Sequence, residues 1–166
     1  MASEGSGSHA AGAGSANSEY EVFDADGVVF GRLASSVAKR LLTHSGTVIV
    51  LNTEKAIITG SRHIVASRYA ARIRIKDKIN PEHSQYWSRR PDLLFKRMVR
   101  GMLPFKDARG KLAYRRLRAF VGAPAQYAGM RTAQFPRADL SSMYVEHMSL
   151  GELSAHLGYK RSGNNG

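Results

Sequence analysis

The sequence predicts an α/β fold with parallel strand pairing, and three observations carry that prediction. Gly31 to Leu42 (GRLASSVAKRLL) places Leu33, Ala34, Val37, Ala38, Leu41 and Leu42 at helical spacing on one face. Thr47 to Leu51 (TVIVL) is a β-branched apolar run with no polar alternation, the pattern of a strand buried on both sides in a parallel sheet. Glu21 to Ala25 (EVFDA) reads as a short strand ahead of them. Strand, helix and strand within about thirty residues make a βαβ unit.

Asp26-Gly27 supplies the turn into the helix, and His44-Ser45-Gly46 ends it. Ala56 to Thr59 (AIIT) is a further extended piece, after which Thr59 or Ser61 can cap a helix running to about Ala71. In IRIKDKI, Ile73, Ile75 and Ile79 alternate with Arg74, Lys76 and Lys78, so an extended segment with cations on one face and isoleucines on the other is expected. Asn80 to Arg90 reads as a loop that carries Trp87, the one tryptophan of the chain.

Pro91 suits a first helical turn. In PDLLFKRMVRGM, Leu94, Phe95, Val99, Met98 and Met102 share one arc, with Lys96, Arg97 and Arg100 opposite. Pro104 ends that helix, and a second basic helix is expected near Arg109 to Leu117. There Lys111, Arg115 and Arg118 cluster on one side, while Arg109 and Arg116 fall on the apolar side, where helical spacing gives them no role. Arg118 to Val121 is a candidate returning strand, broken by Gly122-Ala123-Pro124, and the chain then reads as loop to about Ser142. Ser149 to Leu157 (SLGELSAHL) opens with a Ser-x-x-Glu capping pattern and should form a short helix.

The 166 residues suit a single domain, expected over residues 19–160. Residues 1–18 are almost wholly Gly, Ala and Ser; with so little apolar area to bury they are expected to be disordered, and residues 161–166 to fray. The leader resembles neither a secretory signal nor a mitochondrial presequence, and no apolar run approaches the roughly 20 residues of a membrane span. With zero cysteines, disulfides, thiolate metal sites and thiol catalysis are excluded.

Charge is the most informative feature. The chain has 25 Lys and Arg against 13 acids, a net +12. Residues 61–118 hold 17 basic and 4 acidic side chains, while the remainder holds 8 and 9, so the whole surplus sits in one segment. Thirteen unbalanced cations repel one another unless a polyanion neutralises them. Arg outnumbers Lys twelve to five in that segment, and the planar guanidinium fork suits phosphate and base contacts. The apolar arcs of the basic helices are needed to cover the sheet, which argues against a membrane surface. RNA is favoured over DNA because the cations are spread over several elements, Tyr69, Tyr86, Trp87 and Tyr114 are interleaved among them, and no helix-turn-helix or zinc-finger pattern occurs. Trp87, in a loop beside Arg89 and Arg90, is the best candidate for stacking on a base.

Catalytic readings find little support. Gly27, Gly31 and Gly60 stand at strand-to-helix turns, yet neither a Gly-Lys-Ser/Thr run nor GxGxxG accompanies them, and tight turns account for them more simply. No two histidines flank a glutamate at metal-binding spacing, and no G-x-S-x-G elbow occurs.

Three stretches together resemble the large-subunit ribosomal protein thirteen family: VFDADGVVFGRLASSVAKRLL (22–42), VLNTEKAIITG (50–60) and, most specifically, RRPDLLFKRMVRGMLPFKDARGKLAYRRLRAFVG (89–122). Val99-Arg100-Gly101-Met102-Leu103-Pro104, Gly110-Lys111, Leu117 and Phe120 to Gly122 stand at that family's signature spacing. The direct passage from Leu42 to Thr47 departs from bacterial members, and MSLGELSAHLGYK is similar to archaeal ones. The resemblance implies a three-layer α/β/α fold on a small, mostly parallel four-stranded sheet, without catalysis, metal or cofactor. It also implies a cytoplasmic, ribosome-bound protein whose partners are large-subunit rRNA and neighbouring ribosomal proteins, with a role in subunit assembly and with neither membrane nor DNA as a partner. The residues expected to contact phosphate are Arg74, Lys76, Lys78, Arg89, Arg90, Arg97, Arg100, Lys106, Arg109, Lys111, Arg115 and Arg118, with Gly101, Pro104 and Gly110 shaping the turn that presents them.

Overall fold

The computed structural model describes residues 20–127, 129–130, 132–133 and 146–160. The expected leader and tail, and most of the stretch expected to be loop before Ser142, lie outside the described residues. Strand β1 (Tyr20–Asp24), helix α1 (Phe30–Thr43) and strand β2 (Thr47–Leu51) form the βαβ unit, with Tyr20 to Asp24 paired in parallel, residue for residue, with Thr47 to Leu51. Strand β3 (Ile57–Thr59) and helix α2 (Arg62–Arg74) come next. Helices α3 (Pro91–Met102) and α4 (Ala108–Arg115) lead into strand β4 (Leu117–Ala119). Two short strands, β5 (Thr132–Ala133) and β6 (His147–Ser149), precede helix α5 (Leu150–His156). The main sheet has the order β4-β2-β1-β5 and is parallel throughout, which is the α/β class the sequence predicts.

The even burial of β2 explains its unbroken apolar run. Val48 and Val50 join Phe23 and Leu117 in the main core, to which all five helices contribute, while Ile49 and Leu51 face the other way with Val22. That second face is covered by Phe120 and by Tyr127 of the single turn Ala125–Tyr127. The α1 stripe lands as its spacing requires, with Leu33, Ala34, Val37 and Leu41 fully buried. Phe30 and Phe95 meet edge to face, ring centres 5.8 Å apart, and join α1 to α3.

The ends of β1, β2 and β4 are tied by the Asn52-Thr53-Glu54 corner. Asn52 takes a left-handed φ of 53°, which brings its Nδ2 to donate to Asp24 Oδ1 at 2.9 Å and its amide to donate to the Gly122 carbonyl at 3.0 Å. Thr53 is fully buried and donates its hydroxyl to the Phe120 carbonyl at 2.8 Å. The Gly122 amide donates to both Glu54 carboxylate oxygens at 3.0 and 2.9 Å. Gly122 itself has φ 76°, the conformation that lets the chain leave β4 there. Gly27, at φ 68° in the β1–α1 turn, serves a tight turn.

Helix α5 starts with the expected capping box: Ser149 Oγ accepts from the Glu152 amide at 3.1 Å, and Glu152 Oε2 accepts from the Ser149 amide at 3.3 Å. Strand β6 pairs antiparallel with β3 in a separate two-stranded sheet.

One sequence expectation is overturned. IRIKDKI is not an extended segment with a buried isoleucine face: Ile73 and Arg74 complete α2, and Ile75 and Ile79 are 64% and 95% exposed. Among the described residues no strand pairs with residues 75–79. Asp77 Oδ1 accepts from the amides of Ile79 and Asn80, and Ser84 Oγ accepts from the Asp77 amide at 2.7 Å, turn bonds that replace a strand ladder.

Candidate nucleic-acid interface

Helix α3 is the centre of the basic surface. Its apolar arc, Leu94, Phe95 and Val99, is buried, which turns Lys96, Arg97 and Arg100 outward. At its N-terminus Asp92 is buried, and Arg90 holds it with two bonds, Nε to Oδ1 at 3.1 Å and Nη2 to Oδ2 at 2.8 Å. A carboxylate there is stabilised by the helix dipole as well as by the guanidinium.

On one side of α3 the cations meet the loop before it. Arg97 Nη1 donates to the Tyr86 carbonyl at 3.3 Å, and its guanidinium lies 4.0 Å from the Trp87 ring centre. Arg72, from α2, lies 5.1 Å from the rings of both Trp87 and Tyr69, which themselves meet edge to face. Burial pushes the Tyr69 phenol above its ordinary value, against the lowering pull of Arg72 and Arg68. Trp87 is therefore engaged by guanidiniums of its own chain. The ring that stands open is Tyr86, 83% exposed.

On the other side, Arg100 lies 4.0 Å from the Phe105 ring, Phe105 meets Tyr114 edge to face at 5.5 Å, and Lys96 Nζ stands 5.4 Å from the Tyr114 ring. These contacts join α3, the turn after it and α4 into one surface. Cation–aromatic pairs of this kind hold long side chains in place without removing their charge.

The two arginines without a role in helical spacing have one in the fold. Arg116 donates from Nη1 to the His44 carbonyl at 2.6 Å and from Nη2 to the Leu41 carbonyl at 2.7 Å, and Arg109 Nη2 donates to the Leu42 carbonyl at 3.1 Å. They satisfy carbonyls that the C-terminus of α1 leaves open, next to the negative end of its dipole. Of the residues expected to contact phosphate, Arg90, Arg97 and Arg109 thus make hydrogen bonds within the fold. Arg74, Lys76, Lys78, Arg89, Arg100, Lys106, Lys111, Arg115 and Arg118 are exposed. Among the described residues, only Arg62 and Arg90 of the seventeen cations in 61–118 have a carboxylate within 4.0 Å.

Helical spacing had Lys96 on the charged arc of α3, yet it was not among the expected phosphate contacts. The structure puts it half-buried beside Arg118. Burial first, and then the Arg118 charge, hold the Lys96 ammonium below the ordinary lysine value of 10.5, with Asp92 opposing. Between the lowered value and 10.5 the unfolded chain binds more protons than the folded one, so Lys96 makes stability of the free protein rise with pH across that window. Lys96→Met is expected to remove this contribution, read as the difference between the two proteins' urea midpoints measured up to about pH 10. The comparison cancels Tyr69, whose raised value acts in the opposite direction above its ordinary 10.0.

The turn between α3 and α4 uses its three marked residues differently. Pro104 follows the last residues of α3, and a Cβ on Gly110 would overlap the Pro104 carbonyl, so α4 seats directly on the turn backbone. Gly101 lies within α3 with open space where its Cβ would stand. Gly101→Ala is therefore expected to stabilise the free protein by about 0.5–1 kcal/mol through helix propensity, measured by urea unfolding.

Among the described residues no group of three His, Asp or Glu side chains could hold a metal ion, and no helix is long and apolar enough to cross a membrane. The family model for ribosomal protein L13 matches residues 18–126. The chain is 43% identical over 148 residues to the large ribosomal subunit protein uL13 of Methanopyrus kandleri, covering 87% of this chain and 91% of that one. It is 41% identical to the uL13 of Archaeoglobus fulgidus (86% and 90% covered) and 41% identical to that of Methanosarcina barkeri (84% and 98% covered). The βαβ unit, the basic α3–α4 surface and these matches over most of the chain agree: this protein belongs to the ribosomal protein L13 family and is of the archaeal type.

Proposed function

We propose that this protein binds and organises large-subunit rRNA as a structural, non-catalytic component of the large ribosomal subunit, contributing to subunit assembly. The single observation that carries the reading is the set of cations around α3: fifteen of the seventeen in residues 61–118 lack a carboxylate within 4.0 Å among the described residues. A face so little neutralised by its own chain is stabilised by a polyanion. The cations come from the end of α2, the loop after it, α3, α4 and β4, a breadth that suits the irregular backbone of folded RNA better than one groove of duplex DNA. The βαβ half and the Asn52-Thr53-Glu54 corner hold that face rigid. Neighbouring ribosomal proteins are its other partners, on the cytoplasmic ribosome.

Sedimentation tests the proposal. The protein is expected to travel with the large ribosomal particle at low salt and to leave it only at high salt. Sedimentation as free protein under low-salt conditions, with the particle intact, would overturn it.

A further inference from the structure

Between the end of α2 and the start of α3 the structure contains an open cavity of about 700 Å³, within the size range of small-ligand sites. Its apolar wall comes from Ile73, Ile75, Tyr86 and Leu93. Ile75, Tyr86 and Leu93 are 64%, 83% and 40% exposed, so this protein leaves a concave apolar and aromatic surface in water where burial would stabilise it. Lys76, Arg89 and Arg90 also line the cavity, against one acid, Glu82. Three cations to one acid around an apolar slot match a nucleotide, whose base is flat and apolar-faced and whose phosphates are anionic.

We propose that this cavity takes an unpaired nucleobase of the bound RNA, stacked on Tyr86, with the flanking phosphates on Lys76, Arg89 and Arg90. The inference rests on the RNA-binding reading above and adds to it a requirement for single-stranded RNA at one place on the face. Local structure is prepared for that role. Arg97 fixes the backbone at Tyr86 through its bond to the Tyr86 carbonyl. Asp92 holds two of the three nitrogens of the Arg90 guanidinium, which orients the fork and leaves Nη1 without a partner among the described residues. Trp87 also lines the cavity, its ring packed against Arg97, Arg72 and Tyr69, so it borders the base site as a wall. Stacking on a side-chain ring is tolerant of base identity, so the site selects for an unpaired base rather than for one sequence.

Trp87 is the one tryptophan of the chain and reports occupancy directly. The full chain is titrated at low salt with a short oligouridine and, separately, with a blunt RNA duplex carrying the same number of phosphates. The oligouridine is expected to change Trp87 emission in a saturable way, whereas the duplex binds without that change. Tyr86→Ala, at a position exposed enough to leave folding intact, is expected to weaken oligouridine binding roughly 5- to 100-fold while duplex affinity stays within about twofold. The base-site proposal is overturned if Tyr86→Ala binds oligouridine as the native protein does, or if saturating oligouridine leaves Trp87 emission unchanged. In either case salt-dependent binding of both RNAs would leave the wider RNA-binding reading standing. Absence of salt-dependent binding to either RNA would bring down both.

Discussion

Affinity for a large-subunit rRNA fragment is expected to fall about 10³–10⁵-fold when salt is raised from 50 to 200 mM, the response of a protein that neutralises roughly 6–10 phosphates. The number of available cations supports that range. Of the twelve side chains expected to contact phosphate, Arg90, Arg97 and Arg109 make hydrogen bonds within the fold, leaving nine exposed ones without such bonds among the described residues. Each contact releases condensed counterions, so each neutralised phosphate adds a little under one unit to the slope of log affinity against log salt. Replacing Lys111, Arg115 or Arg118 singly by Gln is expected to reduce that slope by about one and to weaken binding to all RNA sequences alike. Lys55, whose partner is Asp26 and which lies outside the basic segment, serves as the control: Lys55→Gln should leave the slope unchanged. A slope near zero in the native protein, measured by filter binding across this salt range, would remove phosphate contact as the basis of binding.

The reach of the sequence depends on where each signal originates. The TVIVL run and the α1 stripe are legible because burial on both sides, or on one side, of an element imposes its own period on the residues. The α5 start is legible because a capping box is a local hydrogen-bond exchange, complete within four residues. Strands β5 and β6, of two and three residues, are too short to carry a period and exist because β1 and β3 offer them an edge. IRIKDKI shows the converse failure: its alternation matches a strand, but among the described residues no strand pairs with it, and Ser84 and Asp77 accept from the Asp77 and Ile79 amides in a turn instead.

The basic face shows the same division. Helical spacing separates Leu94, Phe95 and Val99 from Arg97 and Arg100 on α3, since both arcs are set within the helix, but Met102, at the end of the expected apolar arc, is 40% exposed. The same spacing gives no role to Arg109 and Arg116, because the carbonyls they bind lie at the C-terminal end of α1 and its cap residue His44, more than sixty residues earlier in the chain. Linear order likewise favours Trp87, in a loop beside Arg89 and Arg90, as the ring to stack on a base. Arg72 and Arg97 reach Trp87 from two different helices, a convergence that linear order does not contain.

Gly110→Ala is expected to destabilise the protein by about 2 kcal/mol, and Gly110→Val by about 3 kcal/mol or more, despite both residues being better helix formers than glycine. Gly110 is buried in α4, and the space a Cβ needs is filled by the backbone carbonyl of Pro104, which cannot rotate away as a side chain would. The helix must move off the turn to relieve the overlap. That movement withdraws Ala113 from the core and disturbs the Phe105–Tyr114 contact and the Lys96 position over Tyr114. Overpacking typically costs about 1–3 kcal/mol, and here it outweighs the roughly 1 kcal/mol that alanine gains from helix propensity. Because Lys111 and Arg115 ride on the same helix, the variants should also lose rRNA affinity at temperatures where they remain folded. Urea unfolding of Gly110→Ala beside Gly101→Ala separates the effects: two glycines in neighbouring helices, the same substitution, and shifts of opposite sign. A Gly110→Ala midpoint at or above that of the native protein would mean that α4 is not seated on Pro104, and the α3–α4 surface would then lose the turn that positions it.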